Sequence, residues 1–285
     1  MNPSPEAPKI ISIIVPVLNE GAGIVNLQAK LDRLLRIFGE SATLEFVFVD
    51  DGSTDRTREL LLSTFGNSYR CKILTHDRNC GVGAAFRTGF VQAAGSIICT
   101  IDADCSYEPE NLKRLVELLE MTAADIAVAS PYHPEGRVED IVPWRFFVSR
   151  VCSSAYRLIS PVRLYTYTSI FRAYRREVTQ TVHFDADGFA SAAEILIRAS
   201  EQGYRIVEQP MTLRGRKIGT SKMKVLGTIQ THLRMMSGVV WRRAAQAFHG
   251  TLGAQQPVYF RAKALLASAR VEPARTREIG FGEKE

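Results

Sequence analysis

The 285-residue sequence predicts an α/β fold: a Rossmann-like, mostly parallel sheet flanked by helices, with amphipathic helices towards the C-terminus. Three observations predict it. The first half alternates short apolar runs with segments of helical periodicity, the rhythm of a sheet whose strands are joined by crossover helices. The strand candidates are apolar throughout, not at every second residue, which suits strands covered on both faces. The ends of those strands carry acidic, polar and glycine-rich residues, so chemistry converges on the carboxyl edge of the sheet, where such folds bind ligands.

The elements follow in order. Ile10–Val17 (IISIIVPV) reads as a buried strand, after which Ile24, Leu27, Leu31, Leu34, Leu35 and Phe38 recur at helical spacing. Phe46–Val49 is a second strand, Thr54–Phe65 a helix and Cys71–Thr75 a third strand. Gly83–Ala93 is helical, Ser96–Ile101 a strand, Pro109–Glu120 a helix and Asp125–Ala129 a strand. Pro143–Ser160 is amphipathic, Ser169–Tyr174 a strand, and Ala190–Gln202 a helix stopped by Gly203. Arg205–Leu213 reads as one strand and Lys222–Phe248 as a long helix interrupted by Gly227 and Gly238. The expected organisation is a disordered N-terminus (1–9), one α/β domain (10–220) with an interfacial helix at 143–160, an amphipathic helix (221–250) and a largely disordered tail (251–285).

Composition narrows the function classes. A hydrophobic share of 46% and a charged share of 23% are those of a globular protein, and the net charge of +6 suits anionic small molecules or an anionic membrane surface. No basic helix is interleaved with aromatics and no zinc-finger spacing occurs, so nucleic acid is not an expected partner. Cys71, Cys80, Cys99, Cys105 and Cys152 are scattered and odd in number, which fits a reducing cytoplasm better than a disulfide framework. The Pro-rich start MNPSPEAPK does not have the form of a signal peptide, and no apolar run approaches the roughly 20 residues that span a bilayer. The expected location is cytoplasmic, with any membrane contact peripheral and on the cytoplasmic face.

Two acidic motifs carry the chemistry. Asp102–Asp104 (DAD) follows an apolar strand directly, where the turning chain lets both carboxylates approach one ion. Hard oxygen donors of this type suit Mg²⁺ or Mn²⁺ shared with phosphates, and such an ion would assist a departing diphosphate. Taken alone, Asp104 as a helix cap is the simpler reading. Asp50–Asp55 (DDGSTD) has the same double reading: Asp51 or Ser53 as a cap with Gly52 in the turn, or a carboxylate against the base or ribose of a nucleotide. With both motifs on neighbouring strand ends, the ligand-binding reading becomes the better one.

In their order, VPVLNE, VDDGSTDRT, RNCGVGAAFRTG and DADCSYEPENL resemble the inverting family-2 glycosyltransferases of GT-A fold. FRAYRREV (Phe171–Val178) and GYRIVEQPMTLRGRKIGTSKMKV (Gly203–Val225) are similar to the dolichol-phosphate mannose synthase and polyprenyl-phosphate glycosyltransferase branch. The resemblance spans Ile10 to Val225. It implies that Pro16, Asn19, Glu20, Asp50, Asp51 and Asp102 hold the nucleotide, and that Asp102 and Asp104 hold an Mg²⁺ or Mn²⁺ ion and the diphosphate. Ser106 stands where relatives often supply a glutamine ligand, so water or a weaker serine contact takes that place. Asp104, Arg172, Arg216 and Lys222 are the implied catalytic set.

The basic residues also have a physical reading, because a diphosphate and a phosphate acceptor need several cations to offset their charge. Arg172, Arg175, Arg176, Arg214, Arg216, Lys217 and Lys222 outnumber the acids around them, and about half are expected to be ordinary surface charges. Ser221 in the GTSK turn adds a hydroxyl or main-chain donor. Relatives that glycosylate hydroxyls carry a Glu-Asp pair whose aspartate is the base. Aligned on Glu194 and Arg198, Ser191 and Ala192 stand there instead. A phosphate acceptor is already an anion and needs no base, so a lipid phosphate is favoured. Asp185 and Asp187 are the alternative bases.

The membrane reading rests on two helices. Phe147, Val148, Val151, Cys152, Ala155, Leu158 and Ile159 fall opposite Arg145, Ser149, Arg150, Ser153 and Arg157; Leu226, Ile229, Leu233, Met236 and Val240 lie beside Arg234, Arg242 and Arg243. Apolar faces edged with arginine suit an anionic lipid interface, and packing on the α/β core is the ordinary alternative. The expected activity is therefore metal-dependent transfer of a sugar from a GDP- or UDP-linked hexose to a polyprenyl phosphate. The rivals are a hydroxyl acceptor, a nucleotidyltransferase and a non-catalytic nucleotide-sugar binder.

Overall fold

The computed structural model describes residues 9–215 and 225–250. Along the chain lie β1 (Ile10–Val17), α1 (Ile24–Phe38), β2 (Thr43–Asp50), α2 (Thr57–Phe65), β3 (Cys71–Thr75), α3 (Val82–Gln92), β4 (Ile97–Thr100), α4 (Leu112–Thr122) and β5 (Ile126–Ser130). They are followed by β6 (Arg137–Glu139), α5 (Pro143–Ile159), β7 (Arg172–Arg175), α6 (Arg176–Thr181), α7 (Ala190–Glu201), β8 (Ile206–Pro210), β9 (Thr212–Arg214) and α8 (Val225–Gly250). Seven strands form one sheet in the order β3-β2-β1-β4-β7-β5-β8, with β7 antiparallel to both neighbours and the other pairs parallel. The expected mostly parallel sheet flanked by helices is present.

Both faces of this sheet are covered, which is why its strands are apolar throughout. Ile11, Ile13, Val15 and Val17 point to the side packed by α1, α2 and α4, whereas Ile14, Val47, Val49 and Ile98 point to the side packed by α3 and α7. Each fully buried side chain of this size contributes about 1.5–3 kcal/mol. The polar exception in β1 is Ser12, which donates to buried Glu45 and accepts from Gly95 N at 2.8 Å; Glu45 also takes Ala94 N at 2.8 Å. This knot pins the turn that leads into β4. Glu45→Ala leaves Ala94 N–H and Ser12 without their acceptor and is expected to lower stability by about 2–4 kcal/mol, measurable as a lower urea midpoint at unchanged slope.

Register sets the site. Ile14 pairs with Thr100 and Val17 with Asp50, so the chain leaves β1, β2 and β4 at one level and delivers Pro16–Glu20, Asp50–Asp55 and Asp102–Asp104 side by side. The strand order reverses between β1 and β4, and the crevice at such a switch point is where open α/β sheets bind ligands.

Two elements differ from expectation. The segment read as one strand, Arg205–Leu213, is divided at Met211: β8 extends the main sheet beside β5, and β9 leaves it to pair with β6. The outer-face reading of α5 is inverted for its serines. Ser149 and Ser153 turn inward, meeting Thr168 Oγ1 at 2.7 Å and Tyr167 N at 3.2 Å, while Trp144, Phe147, Val151 and Leu158 face outward. Leu158 is 84% exposed and Trp241 on α8 78%, so core packing does not account for these apolar residues. Of the expected helix at 221–250, Val225–Gly250 is observed; residues 1–8, 216–224 and 251–285 lie outside the described residues.

Candidate active site

Three loops are latched into one rim. Asn19, at φ 50°, accepts on its side-chain oxygen from Thr54 N at 2.7 Å and Asp55 N at 3.2 Å, while its own N–H donates to Ser53 Oγ at 2.8 Å. Glu20 N donates to Thr57 Oγ1 at 2.8 Å. Arg56, not Asp51 or Ser53, stands at the N-cap of α2, without a side-chain cap bond; Asp55 just before it accepts Thr57 N at 2.9 Å. Neither Asp51 nor Ser53 performs the capping that is the simpler reading of DDGSTD.

Asp51 is buried at the end of β2 and organises the loop after β3. One of its oxygens meets His76 Nδ1 at 2.7 Å and Cys80 N at 2.9 Å, and the other takes Gly81 N at 2.7 Å. A carboxylate has about four lone-pair sites, and three donors occupy Asp51, which leaves one for a ligand N–H or hydroxyl. Glycine is required at two places here. Gly52 has φ +76°, and a Cβ would lie 2.3 Å from Arg78 C; Gly81 has φ +96°, and a Cβ would lie 2.4 Å from Asp187 O. The turns therefore press against each other with no room for side chains.

At the end of β4 the backbone turns on Cys105 (φ 53°), with Cys105 N bonded to Asp102 O at 3.1 Å. Asp102, Asp104 and Ser106 are the half-buried residues of this segment, alternating with buried Ala103 and Cys105; Asp102 and Ser106 border a cavity and Asp104 does not. Asp104 accepts from Ser106 N at 2.9 Å and Ser106 Oγ at 2.7 Å. The next helical turn begins only at Pro109, so Asp104 is not its cap. Ser106 is thus tied to Asp104. Two carboxylates with a hydroxyl beside them form an all-oxygen donor set of the kind that suits Mg²⁺ or Mn²⁺.

Two cavities meet at Asp102. The larger, about 450 Å³, is lined by Pro16, Glu20, Asp51 and Asp102 together with Gly81 and the first turns of α7 and α8. The smaller, about 210 Å³, lies between Asp102, Ser106 and the helices α5 and α8. Hydroxyl side chains, those of Ser149, Thr166, Thr168, Ser169 and Thr228 among them, punctuate its wall. Asp102, Ile170, Phe189 and Thr228 line both cavities. His232 lines the smaller one and bonds through Nδ1 to Tyr156 Oη at 2.7 Å; burial lowers its pKa below the usual histidine value, which favours the neutral ring.

Of the residues expected to hold nucleotide, Pro16, Glu20, Asp51 and Asp102 come together on the larger cavity. Asn19 and Asp50 do not line it. Asn19 latches the rim, and Asp50 is buried and accepts Ser53 N at 3.0 Å. Of the cations expected to converge here, Arg172, Arg175, Arg176 and Arg214 are described, and none of the four reaches either cavity. Among the described residues, no arginine or lysine lines either cavity. Arg172 is fully buried in β7 and donates to Ala192 O at 2.7 Å and Tyr167 O at 2.9 Å. Arg175 binds Ala124 O and Leu119 O, Arg176 binds Gly95 O, and Arg214 pairs with Glu108 and Glu139. Arg216, Lys217, Ser221 and Lys222 lie outside the described residues.

The alternative bases are engaged as well. Asp185 pairs with Arg198 at 3.4 Å and Asp187 with Arg87, and neither lines a cavity. Ser191 and Ala192 are buried in α7, where Glu194 takes Asp185 N and Ala186 N at 3.1 and 2.9 Å. His76 and Thr228 belong to no motif and escaped the sequence reading, while Ile170 and Phe189 stand in segments (TSIFRAYRR and GFASAAE) that depart from the resembled pattern and were given no site role. For His76 the only signal is its position directly after a strand.

The family model described as glycosyl transferase family 2 matches residues 12–182. The polyprenol monophosphomannose synthase of Mycolicibacterium smegmatis is 31% identical over 219 residues, covering 74% of this chain and 80% of that protein. The dolichol-phosphate mannosyltransferase of Pyrococcus furiosus is 32% identical over 216 residues, 75% of this chain but 59% of that protein. The undecaprenyl-phosphate mannosyltransferase of Micrococcus luteus is 30% identical over 216 residues, covering 74% and 86%. Among solved structures, glucosyl-3-phosphoglycerate synthase from Mycobacterium tuberculosis, in complex with Mn²⁺, uridine diphosphate and glucosyl-3-phosphoglycerate, superposes with a TM-score of 0.59 at 19% identity, over 82% of this chain and 80% of that one. That likeness is one of fold, and it is the GT-A fold the sequence led us to expect.

Proposed function

The chain belongs to glycosyl transferase family 2, and from that premise we propose that it transfers a hexose from a GDP- or UDP-linked donor to a polyprenyl phosphate, with inversion. The observation that carries this reading is the pair of cavities meeting at Asp102, one lined by the strand-end loops and the other enclosed by helices with exposed apolar outer faces. The similar proteins named for lipid-phosphate acceptors support it.

In this reading the larger cavity takes the donor, with Asp51 accepting from the base or ribose and Asp102 and Asp104 facing the diphosphate. A divalent Mg²⁺ or Mn²⁺ ion held by Asp102 and Asp104 would offset the charge of the leaving diphosphate. The acceptor phosphate lies in the smaller cavity. Its oxygen forms the new bond to the anomeric carbon as the bond to the diphosphate breaks on the opposite face, and the electron pair leaves with the nucleoside diphosphate. No proton needs removing, which fits a cavity whose one lining carboxylate among the described residues is Asp102. Arg216 and Lys222, in the segment joining β9 to α8, are assigned to the phosphate charge. The outward stripe Trp144, Phe147, Val151 and Leu158 seats the chain peripherally on the cytoplasmic face of a membrane that holds the acceptor.

A hydroxyl acceptor is the second reading. One observation favours it: His232 lines the smaller cavity and carries a ring nitrogen able to take a proton, although burial lowers its pKa.

The test is turnover by the purified chain with Mg²⁺ or Mn²⁺ and GDP- or UDP-sugars, with and without polyprenyl phosphate in vesicles, using Asp104→Asn as control. Diphosphate release that needs the lipid phosphate and vanishes in the variant is expected. Combined Phe147→Asp, Val151→Asp and Leu158→Asp changes are expected to slow the vesicle reaction about tenfold while leaving a short-chain soluble acceptor unaffected. Release that ignores the lipid phosphate and is lost in His232→Gln would replace the first reading by the second.

A further inference from the structure

Asp51, which lines the larger cavity, also belongs to a second group of potential ligands, chemically unlike the Asp102–Asp104 pair. We propose that Asp51, His76 and Cys80 bind a thiophilic divalent cation of the Zn²⁺ class, and that its binding excludes nucleotide from that end of the cavity. The exclusion, though not the binding, rests on the donor-site reading above.

The three ligand atoms already lie within 4.8 Å of one another: a carboxylate oxygen of Asp51, a ring nitrogen of His76 and the sulfur of Cys80. The fold builds this cluster. Asp51 follows β2 and His76 follows β3, strands paired with Asp50 beside Thr75. The turn at Gly81 then brings the chain back, and the N–H groups of Cys80 and Gly81 dock on the Asp51 carboxylate. A tetrahedral zinc site needs sulfur and nitrogen roughly 3.5 Å apart, given metal bonds of about 2.3 and 2.0–2.1 Å. Cys80 is exposed, so rotation of its side chain brings the sulfur in while the main chain keeps its bonds to Asp51.

The donor chemistry selects the ion. A thiolate, an imidazole and one carboxylate suit Zn²⁺ and its softer congeners, whereas Mg²⁺ and Mn²⁺ prefer the all-oxygen set at Asp102 and Asp104. The outer shell is also in place. His76 Nε2 lies 2.9 Å from Thr88 Oγ1, and once Nδ1 takes the metal, the Nε2 proton donates to that hydroxyl and fixes the ring. Water supplies the fourth ligand. The Cys80 thiol proton goes to solvent, and the imidazole proton moves from Nδ1 to Nε2. The other cysteines are poor competitors: burial pushes the thiols of Cys71, Cys99, Cys105 and Cys152 up.

The consequence follows from the charge at Asp51. Once His76 Nδ1 turns to the metal, the cation takes that donor's place on the Asp51 carboxylate, neutralises it and sets positive charge beside the one acceptor site that remains. A nucleotide base or ribose would then meet a cation where it needs an acceptor.

The experiment is titration of the purified full-length chain with Cd²⁺ and Co²⁺, reading the thiolate-to-metal charge-transfer band, with Zn²⁺ as the displacing ion. One equivalent is expected to produce the band. Cys80→Ser is expected to abolish it, and His76→Gln to weaken binding at least tenfold. A band that survives in Cys80→Ser, or its absence from the wild type, overturns the site. In a second arm, GDP and UDP binding is measured with Mg²⁺ present. Zn²⁺ is expected to raise the apparent Kd of the nucleotide that binds, in the wild type but not in Cys80→Ser, since Cys80 meets Asp51 through its main chain alone. Cation and nucleotide bound together without interference overturns the exclusion. If neither nucleotide binds even without Zn²⁺, the donor-site reading fails, and the charge-transfer band still decides the metal site.

Discussion

Asp102→Asn is expected to reduce turnover at least about 10³-fold, which corresponds to about 4 kcal/mol of lost transition-state stabilisation, while the protein stays folded. The residue occupies a position no other carboxylate among the described residues shares: it lines both cavities, where donor and acceptor meet. Asparagine keeps its shape and removes its charge, so the change isolates electrostatics and metal affinity from packing. The comparison variant Asp104→Asn retains a side-chain oxygen able to accept Ser106 N–H, so that turn survives in it. Diphosphate release, near-UV circular dichroism and the Mg²⁺ or Mn²⁺ concentration for half-maximal rate should be read on both. A native spectrum with a rate above about a tenth of wild type would show that the reaction lies elsewhere than at the junction of the cavities.

The residues at that junction were only partly legible in the sequence, and the reason is physical. Pro16, Glu20, Asp51 and Asp102 could be placed because a strand end is a fixed address: once β1, β2 and β4 are recognised as buried parallel strands, their next residues must emerge on one edge. Asn19 and Asp50 share that address but turn to backbone N–H groups of the loop that follows β2, a choice that depends on local turn geometry and not on position along the strand. The roles within α5 were illegible for a related reason. Its sequence shows serines on one side and apolar residues on another, yet helical periodicity does not say which side meets a wall already furnished with Tyr167 and Thr168. The division at Met211 was missed too, although Pro210 stands just before it, since strand-type residues (Ile206 and Val207, then Thr212 and Leu213) lie on both sides of the point where the chain changes sheets. Ile170, Phe189 and Thr228 are brought to Asp102 only by the packing of three distant segments.

Arg172 is where a motif reading and the structure diverge most, and it supports the other prediction of large effect. In FRAYRREV it stands for a cation offered to phosphate. In the fold it is enclosed, with a side chain that reaches Ala192 O at the start of α7 and Tyr167 O in the segment lining the smaller cavity. No carboxylate pairs with it among the described residues, and its Nε has no hydrogen-bond partner. A buried cation satisfied mainly by carbonyls is costly to keep, so its hydrogen bonds must fix something useful. What they fix is the distance between α7, whose first turn borders the larger cavity, and the 166–170 segment, which borders the smaller. Arg172→Met removes the desolvation cost but leaves two buried carbonyls without donors, for a net loss of about 2 kcal/mol, or roughly 5 °C in Tm. Turnover is expected to fall about 10–100-fold, chiefly through a raised KM for the acceptor, and Arg172→Lys, which restores one of the two bonds, to lie between. The signature separates positioning from direct catalysis. A guanidinium that touched the diphosphate would be missed in kcat with Tm unchanged, whereas a buried tie between two walls lowers Tm and acceptor affinity together.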